Sequence, residues 1–164
     1  MRILKYAIYP EIEEEFSKIT GRSYGFFEEY RTDDADVVIL ALSSVCGTIR
    51  YVVDKYRAEG KIVGLIKLRY FRPFPYKHLR EALKRFRVVG VLDRSLSFGS
   101  FPPVYSETKA IMQGIEGAPM MVSYVHGLGG RDTTVEQIET VFNRLLKIKE
   151  TGEIGEELNF IGVR

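Results

Sequence analysis

Val37-Val-Ile-Leu-Ala-Leu42 is an unbroken apolar run between Asp36 and Ser43. A strand with one wet face alternates polar and apolar positions, so this run reads as a strand covered on both faces. Ser43 or Ser44 can then cap a helix whose inward stripe is Val45, Ile49, Val52, Val53 and Tyr56, with Gly60 as its stop. The alternation continues down the chain. Residues 62–68 form a second strand. Pro73 and Pro75 break the chain, and Pro75 suits the first turn of a helix whose stripe ends at Phe86. Val88-Val-Gly-Val-Leu92 is a third strand, Val104, Thr108, Ile111 and Met112 mark a helix, and Met120 to Val125 is a fourth strand. Thr133-Thr-Val-Glu136 has capping-box spacing and opens a helix buried along Val135, Ile138, Phe142, Leu145 and Leu146. From Lys147 the tail is polar until Phe160-Ile161, which predicts a return to dock. Such alternation predicts an α/β fold: a three-layer αβα sandwich around a mostly parallel sheet.

The first 30 residues have another character. Ile8, Ile12, Phe16 and Ile19 recur on one side of a helix that ends near Gly21. Tyr24 to Tyr30 is aromatic and acidic, a linker or an edge element. The expected division is an N-terminal helix and linker, 1–30, packing on a domain of 31–164. A chain of 164 residues buries roughly 70% of its unfolded surface without covalent staples.

Bulk properties exclude some functions. Lys and Arg number 24 against 22 Asp and Glu, a net charge of +2 that supplies no strong field for nucleic acid or membrane. The basic residues between Lys77 and Arg87 interleave with Leu79, Ala82, Leu83 and Phe86 at helical spacing, the pattern of a solvated helix face. The single Cys46 excludes an internal disulfide and fits a reducing compartment. With no signal sequence and no run of 18 apolar residues, the expected location is cytoplasmic.

Three stretches follow strands and carry special residues and charges: Leu68-Arg-Tyr-Phe-Arg-Pro-Phe-Pro75, Leu92-Asp-Arg-Ser-Leu-Ser-Phe-Gly99 and Gly127-Leu-Gly-Gly-Arg-Asp132. In open α/β folds the edge they leave is where ligands and partners dock. Gly127, Gly129 and Gly130 either present N–H groups to an anion or simply allow a tight turn. Arg131 and Asp132 read as a local ion pair before a substrate clamp. Arg72, Asp93, Arg94, Arg131 and Asp132, with Ser97 and Gly99 behind them, form one charged cluster if their strands are neighbours. Such a cluster grips a small acid or locks the loops against another domain, and the second use is favoured. Cys46 reads as a small buried hydrophobe and His78 as solvated. His126 lacks any nearby partner that would identify a catalytic set. Metal-ligand spacings such as H-x₃₋₄-H, C-x-x-C and H-E-x-x-H do not occur.

In order and spacing, these loops resemble the second domain of the α subunit of pyruvate:ferredoxin oxidoreductase and its 2-oxoacid:ferredoxin oxidoreductase relatives. That domain has a transketolase C-terminal-like fold. Gly64 to Pro75, Val91 to Gly99 and Gly127 to Asp132 are similar to its best-marked segments. Arg22-Ser-Tyr-Gly25, Glu29-Tyr-Arg31 and Asp36 to Thr48 resemble its entry and first strand, and Phe160-Ile-Gly-Val-Arg164 its ending. Ser100-Phe-Pro-Pro103 departs from the family's Gly and acidic or small residues, and Cys46 and His126 match no residue of the pattern. The resemblance implies a non-catalytic core domain that packs against thiamine-diphosphate-binding domains and fixes subunit assembly, with no catalytic, cofactor or metal residue of its own. The parent reaction it implies is oxidative decarboxylation of a 2-oxoacid to an acyl-CoA, with electrons to ferredoxin. Thiamine diphosphate, magnesium and iron–sulfur clusters then belong to other domains or subunits. Ferredoxin is met only through the complex; nucleic acid and membrane are not partners, and a homodimer of the chain is one possible state. The length of a whole α subunit is missing, so the chain reads as a split gene product or an excised domain. The alternative reading is a free-standing module that binds a small anion at the glycine loop.

Overall fold

The computed structural model describes residues 2–162, with residues 2–7 described by backbone alone. In chain order the elements are α1 (Arg2–Thr20), β1 (Phe27–Tyr30), β2 (Val37–Leu42), α2 (Val45–Ala58), β3 (Val63–Leu68), α3 (Tyr76–Leu83), β4 (Val88–Asp93), α4 (Pro103–Met112), β5 (Met120–Val125), a 3₁₀ turn at Leu128–Gly130, α5 (Val135–Thr151) and β6 (Leu158–Phe160). The six strands make one sheet in the order β1-β3-β2-β4-β5-β6. All neighbours run parallel except β1, which lies antiparallel on β3.

The apolar run that predicted a doubly covered strand is the centre of this sheet. Val37, Ile39 and Ala41 pack with α2 and α5 on one face, while Val38 and Leu40 pack with α3 and α4 on the other. The three-layer αβα sandwich of the sequence reading is therefore the fold observed. Two glycines sit where neighbouring parts approach closely, Gly90 under the α5 layer and Gly64 under the connection after β1. A Cβ on Gly90 would sit 2.7 Å from Leu145 Cδ1, and one on Gly64 would sit 2.6 Å from the Arg31 carbonyl oxygen.

Two features of the topology build the site. From β2 the chain moves to β3 on one side, then returns to β4 on the other. The carboxyl ends of β2 and β4 therefore open onto a topological switch point, where α/β sheets bind ligands. In addition, α5 lies on the same face as α2 and packs on β4 and β2. The step from β5 outward to β6 with its helix on that face reverses the hand shared by the other crossovers, against the usual rule. Residues 126–134 must thereby cross the end of β4, closing one side of the switch point.

The sheet begins at Phe27, inside the stretch that the sequence assigned to the N-terminal part. Its tail does return: β6 pairs with β5. Val163 and Arg164 of the family-like ending lie outside the described residues. The capping box of α5 forms one residue later than its sequence spacing suggested, between Thr134 and Gln137. Thr133 is engaged elsewhere: its hydroxyl lies 2.8 Å from His126 Nδ1. The buried stripe of α5 adds Val141 and Ile148, while Val135 and Leu146 are only half-buried. Among the described residues no helix is long and apolar enough to cross a membrane.

Candidate functional site

A cleft of about 770 Å³ opens at the switch point, within reach of the ends of β2, β4 and β5. Ser43, Ser44 and Thr48 line one wall, Leu92 and Asp93 the floor, and His126 to Thr133 the opposite wall. The volume falls in the range of small-molecule sites, roughly 300–1,000 Å³.

Ser43 turns the chain from β2 into α2 with a φ of +68°, a left-handed geometry uncommon outside glycine and enriched where function holds the backbone in place. Ser44 occupies the cap position without a side-chain bond. The helix start is closed only by Cys46 and Gly47 N–H groups donating to the carbonyls of Ser43 and Ser44. Ser43 or Ser44 was the expected cap of α2; Ser44 holds that position, and both serines face the cleft, exposed.

Asp93 is 2% exposed, and its two carboxylate oxygens accept the Val104 and Tyr105 N–H groups at 3.1 and 3.0 Å. It caps α4, whose own cap position is held by Pro102. Burial outweighs those two bonds and pushes its carboxyl up to about 6. Asp93 thus belongs to the floor and the start of a helix, where the sequence reading had placed it on a contact rim.

The five charged residues are not one cluster. Arg94 and Arg131 share the cleft with Asp132. Arg94 Nε donates to the Gly127 carbonyl at 3.3 Å, and Arg131 Nη1 donates to the Gly162 carbonyl at 2.9 Å. Arg131 is therefore bound to the end of the chain, and the local Arg131–Asp132 ion pair does not form. Arg72 stands apart from the cleft: it pairs with Glu107 of α4 at 2.7 Å and stacks 3.9 Å over the Phe71 ring. Ser97 and Gly99 lie on the exposed loop beyond Arg94, where the Ser100 N–H donates to Ser97 O and Gly99 has a φ of +70°. At the tip of that loop Phe98 is fully exposed, with Leu96 beside it in sequence at 36%.

Of the glycines on the third loop, Gly127 is held closest. A Cβ there would lie 3.1 Å from Arg94 Nε, at a φ of +63°. His126 is 5% exposed, and its N–H donates to Asp93 O at 2.9 Å. Burial, and then the Arg94 charge, draw its imidazole pKa down, favouring the neutral ring. Sequence reasoning gave His126 no partner because Thr133 looked like part of the α5 cap. The overlap of two threonines hid the pair.

Cys46 is buried and its thiol is pushed up to about 11 by desolvation, which suits neither a nucleophile nor a cluster ligand. Among the described residues no group of three or more His, Cys, Asp or Glu side chains is placed to hold a metal. The donor set of the described residues, with Cys46 as the single thiol, does not fit an iron–sulfur cluster.

A family model described as pyruvate:ferredoxin oxidoreductase core domain II matches residues 35–138. The chain is 43% identical over 157 residues to the pyruvate synthase subunit PorA of Thermotoga maritima, a match that takes in 96% of this chain and 39% of that protein. Among solved structures it resembles the 2-oxoglutarate:ferredoxin oxidoreductase of Magnetococcus marinus, solved with 2-oxoglutarate, coenzyme A and succinyl-CoA bound. That likeness has a TM-score of 0.54 at 19% identity, covering 80% of this chain and 20% of that one. It also resembles a split-gene transketolase, described as an inactive β4 tetramer, with a TM-score of 0.58 at 16% identity over 78% of this chain and 43% of that one. At such identities the two structures speak for the fold. The chain spans about two fifths of the length of the PorA relative it matches.

Proposed function

The chain belongs to the pyruvate:ferredoxin oxidoreductase core domain II family, and on that premise we propose that it serves as the non-catalytic core domain of the α subunit of a 2-oxoacid:ferredoxin oxidoreductase. Its work is to pack by the carboxyl edge of its sheet against the thiamine-diphosphate-binding domains and to set subunit geometry. The parent reaction is oxidative decarboxylation of a 2-oxoacid to an acyl-CoA, with electrons passed to ferredoxin, and its cofactors sit on other domains or subunits.

The observation that carries this reading is the apolar surface left on that edge. Phe98 projects fully exposed from the loop after β4. At the same edge β1 starts opposite Leu68, so the turn before it brings α1 to the end of β3, where the Tyr9 and Tyr70 rings meet at 5.1 Å. The α1 stripe of Ile8, Ile12, Phe16 and Ile19 is 42%, 55%, 44% and 83% exposed. Glu13 holds the helix in place by accepting bonds from the Ser23 hydroxyl and the Tyr24 and Gly25 N–H groups. Apolar groups held in fixed positions and left in water mark an interaction surface, and aromatic anchors such as Phe98 dominate interface energetics.

Reconstitution tests the proposal. The purified chain alone is expected to show no turnover with pyruvate, coenzyme A and thiamine diphosphate, and to co-elute with the remaining domains and subunits of the enzyme. Phe98→Ala is expected to weaken that association without lowering the thermal midpoint of the isolated chain. Turnover by the chain alone, or an association indifferent to Phe98, sinks the reading.

A further inference from the structure

The switch-point cleft holds hydrogen-bond donors that the packing of the domain does not use. On one wall the Ser44 and Val45 amides open the fourteen-residue α2, with the positive end of the helix dipole behind them. On the other, left-handed Gly127 and Gly129 stand either side of Leu128, a backbone pattern in which successive N–H groups converge on an anion. Arg94 and Arg131 line the same space, and each gives one N–H to a carbonyl oxygen. Neither has a carboxylate partner among the described residues, whereas Arg31, Arg57 and Arg72 all do.

His126 makes the cleft more than a helix end. It is 5% exposed and lines the cavity, yet only Nδ1 is bonded, to the Thr133 hydroxyl, and Nε2 has no partner among the described residues. Among the described residues the buried polar side-chain atoms left without a partner are Arg50 Nε, Ser123 Oγ and Tyr124 OH, so Nε2 keeps access to the cleft and is free to take a partner there. In the tautomer whose Nδ1 accepts from the Thr133 hydroxyl, the ring proton sits on Nε2 and is offered to an occupant; in the other, Nε2 accepts from one.

We propose that this cleft binds a small molecule through one terminal oxyanion, a phosphate or a carboxylate, seated between the α2 N-terminus, His126 Nε2 and the guanidinium groups of Arg94 and Arg131. Asp93 on the floor is committed to the α4 amides, and Asp132 is the remaining carboxylate of the lining. Its charge limits the ligand to a single anionic group and disfavours a polyphosphate. This site goes beyond the assembly role, since the isolated chain is sufficient to form it.

The test is an NMR titration of the ¹⁵N-labelled chain with sodium phosphate and, separately, with pyruvate, at ionic strength held constant with sodium chloride. The expected result is saturable shifts at Ser44, Val45 and residues 127–130, and the tighter of the two probes identifies the anion as phosphate or carboxylate. Removing one charge-assisted bond weakens binding by about tenfold, so Arg94→Gln and Arg131→Gln should each raise the dissociation constant by that order while leaving the rest of the spectrum unmoved. His126 is buried and its replacement risks the fold, so the two exposed arginines carry the mutational arm. Shifts that do not saturate, that chloride reproduces, or that persist in the Arg94→Gln/Arg131→Gln double variant overturn the site. Subunit association is read by a separate assay, so this failure is distinguishable from failure of the assembly role.

Discussion

α1 and α5 look alike in sequence and differ in everything that holds them. Both carry apolar residues at helical spacing, over 19 and 17 residues. α5 buries Ile138, Val141, Phe142, Leu145 and Ile148 against the sheet, begins with a reciprocal capping box and ends at Gly152 in left-handed geometry. α1 has no acidic residue in its first turn, carries Pro10 in its interior and leaves its stripe in water. An interior proline costs a helix about 3 kcal/mol, so α1 is a poor helix on its own account. The difference teaches that periodicity predicts a stripe without saying what covers it. For α5 the cover lies within this chain; for α1 the assembly role proposed above places it in the remainder of the enzyme.

The largest expected effect lies on α5. Phe142 is fully buried between the sheet and Tyr56, ring centroids 5.7 Å apart. Phe142→Ala removes a ring that the close-packed layer cannot refill, and should cost about 3–5 kcal/mol in chemical denaturation. A loss under about 1 kcal/mol would mean that α5 is as loosely held as α1, and the contrast would fail.

How the helices start gives a second, smaller effect, dependent on pH. Asp93 begins α4 from a buried position, with its carboxyl raised from 3.8 to about 6 by desolvation. An acid that holds its proton more tightly folded than unfolded supports the fold below about pH 4 and loses that support as pH rises through about 6. The stability of the wild type relative to Asp93→Asn should therefore be greatest in acid and fall across that window, by up to about 3 kcal/mol. A difference that stays flat from pH 4 to 7 would show that the carboxyl is solvated in the folded chain, and that α4 starts from an open edge as α2 does.

The fold was legible because burial writes itself into local sequence. The unbroken run at 37–42 reported two covering layers, and the stripe 45–56 reported a helix with one covered side. The site was legible only as a set of loops. That Arg94 and Arg131 share a cleft while Arg72 does not depends on strand order, which no local pattern encodes: Arg72 leaves β3, on the far side of β2 from β4. Asp93 was legible as a charge and not as a cap, because its partners, the amides of Val104 and Tyr105, are backbone groups that every residue possesses. β1 was legible only as one of two alternatives, a linker or an edge element, because a four-residue edge strand with Glu28 and Glu29 in it has no apolar run to decide between them.

The α5 cap offers a third measurement. Thr134→Ala removes the oxygen that accepts the Gln137 N–H at 3.4 Å and should cost about 1 kcal/mol, the ordinary worth of an N-cap. Thr133→Ala should cost the cap nothing and instead free His126 Nδ1, visible as a change in the imidazole NMR resonances. If the two replacements exchange these effects, the box forms at Thr133 and Glu136 as its sequence spacing suggested, and the His126 partner is lost.

The smallest effect on the isolated chain is expected in α1, and it sharpens the comparison most. Ile12 is 55% exposed in the middle of the stripe, so Ile12→Ser removes little packing and should change stability by no more than about 0.5 kcal/mol. The same replacement should weaken association with the remaining subunits, because there the side chain passes from water into an interface and its transfer is worth roughly 1.5–3 kcal/mol when complete. Stability and association would then separate at Ile12, while at Phe142 they fall together because the fold itself is lost. If Ile12→Ser destabilises the isolated chain as Phe142→Ala does, the stripe is covered from within the chain. If it changes neither quantity, the stripe meets no partner in the enzyme, and Phe98 is left to carry the edge alone.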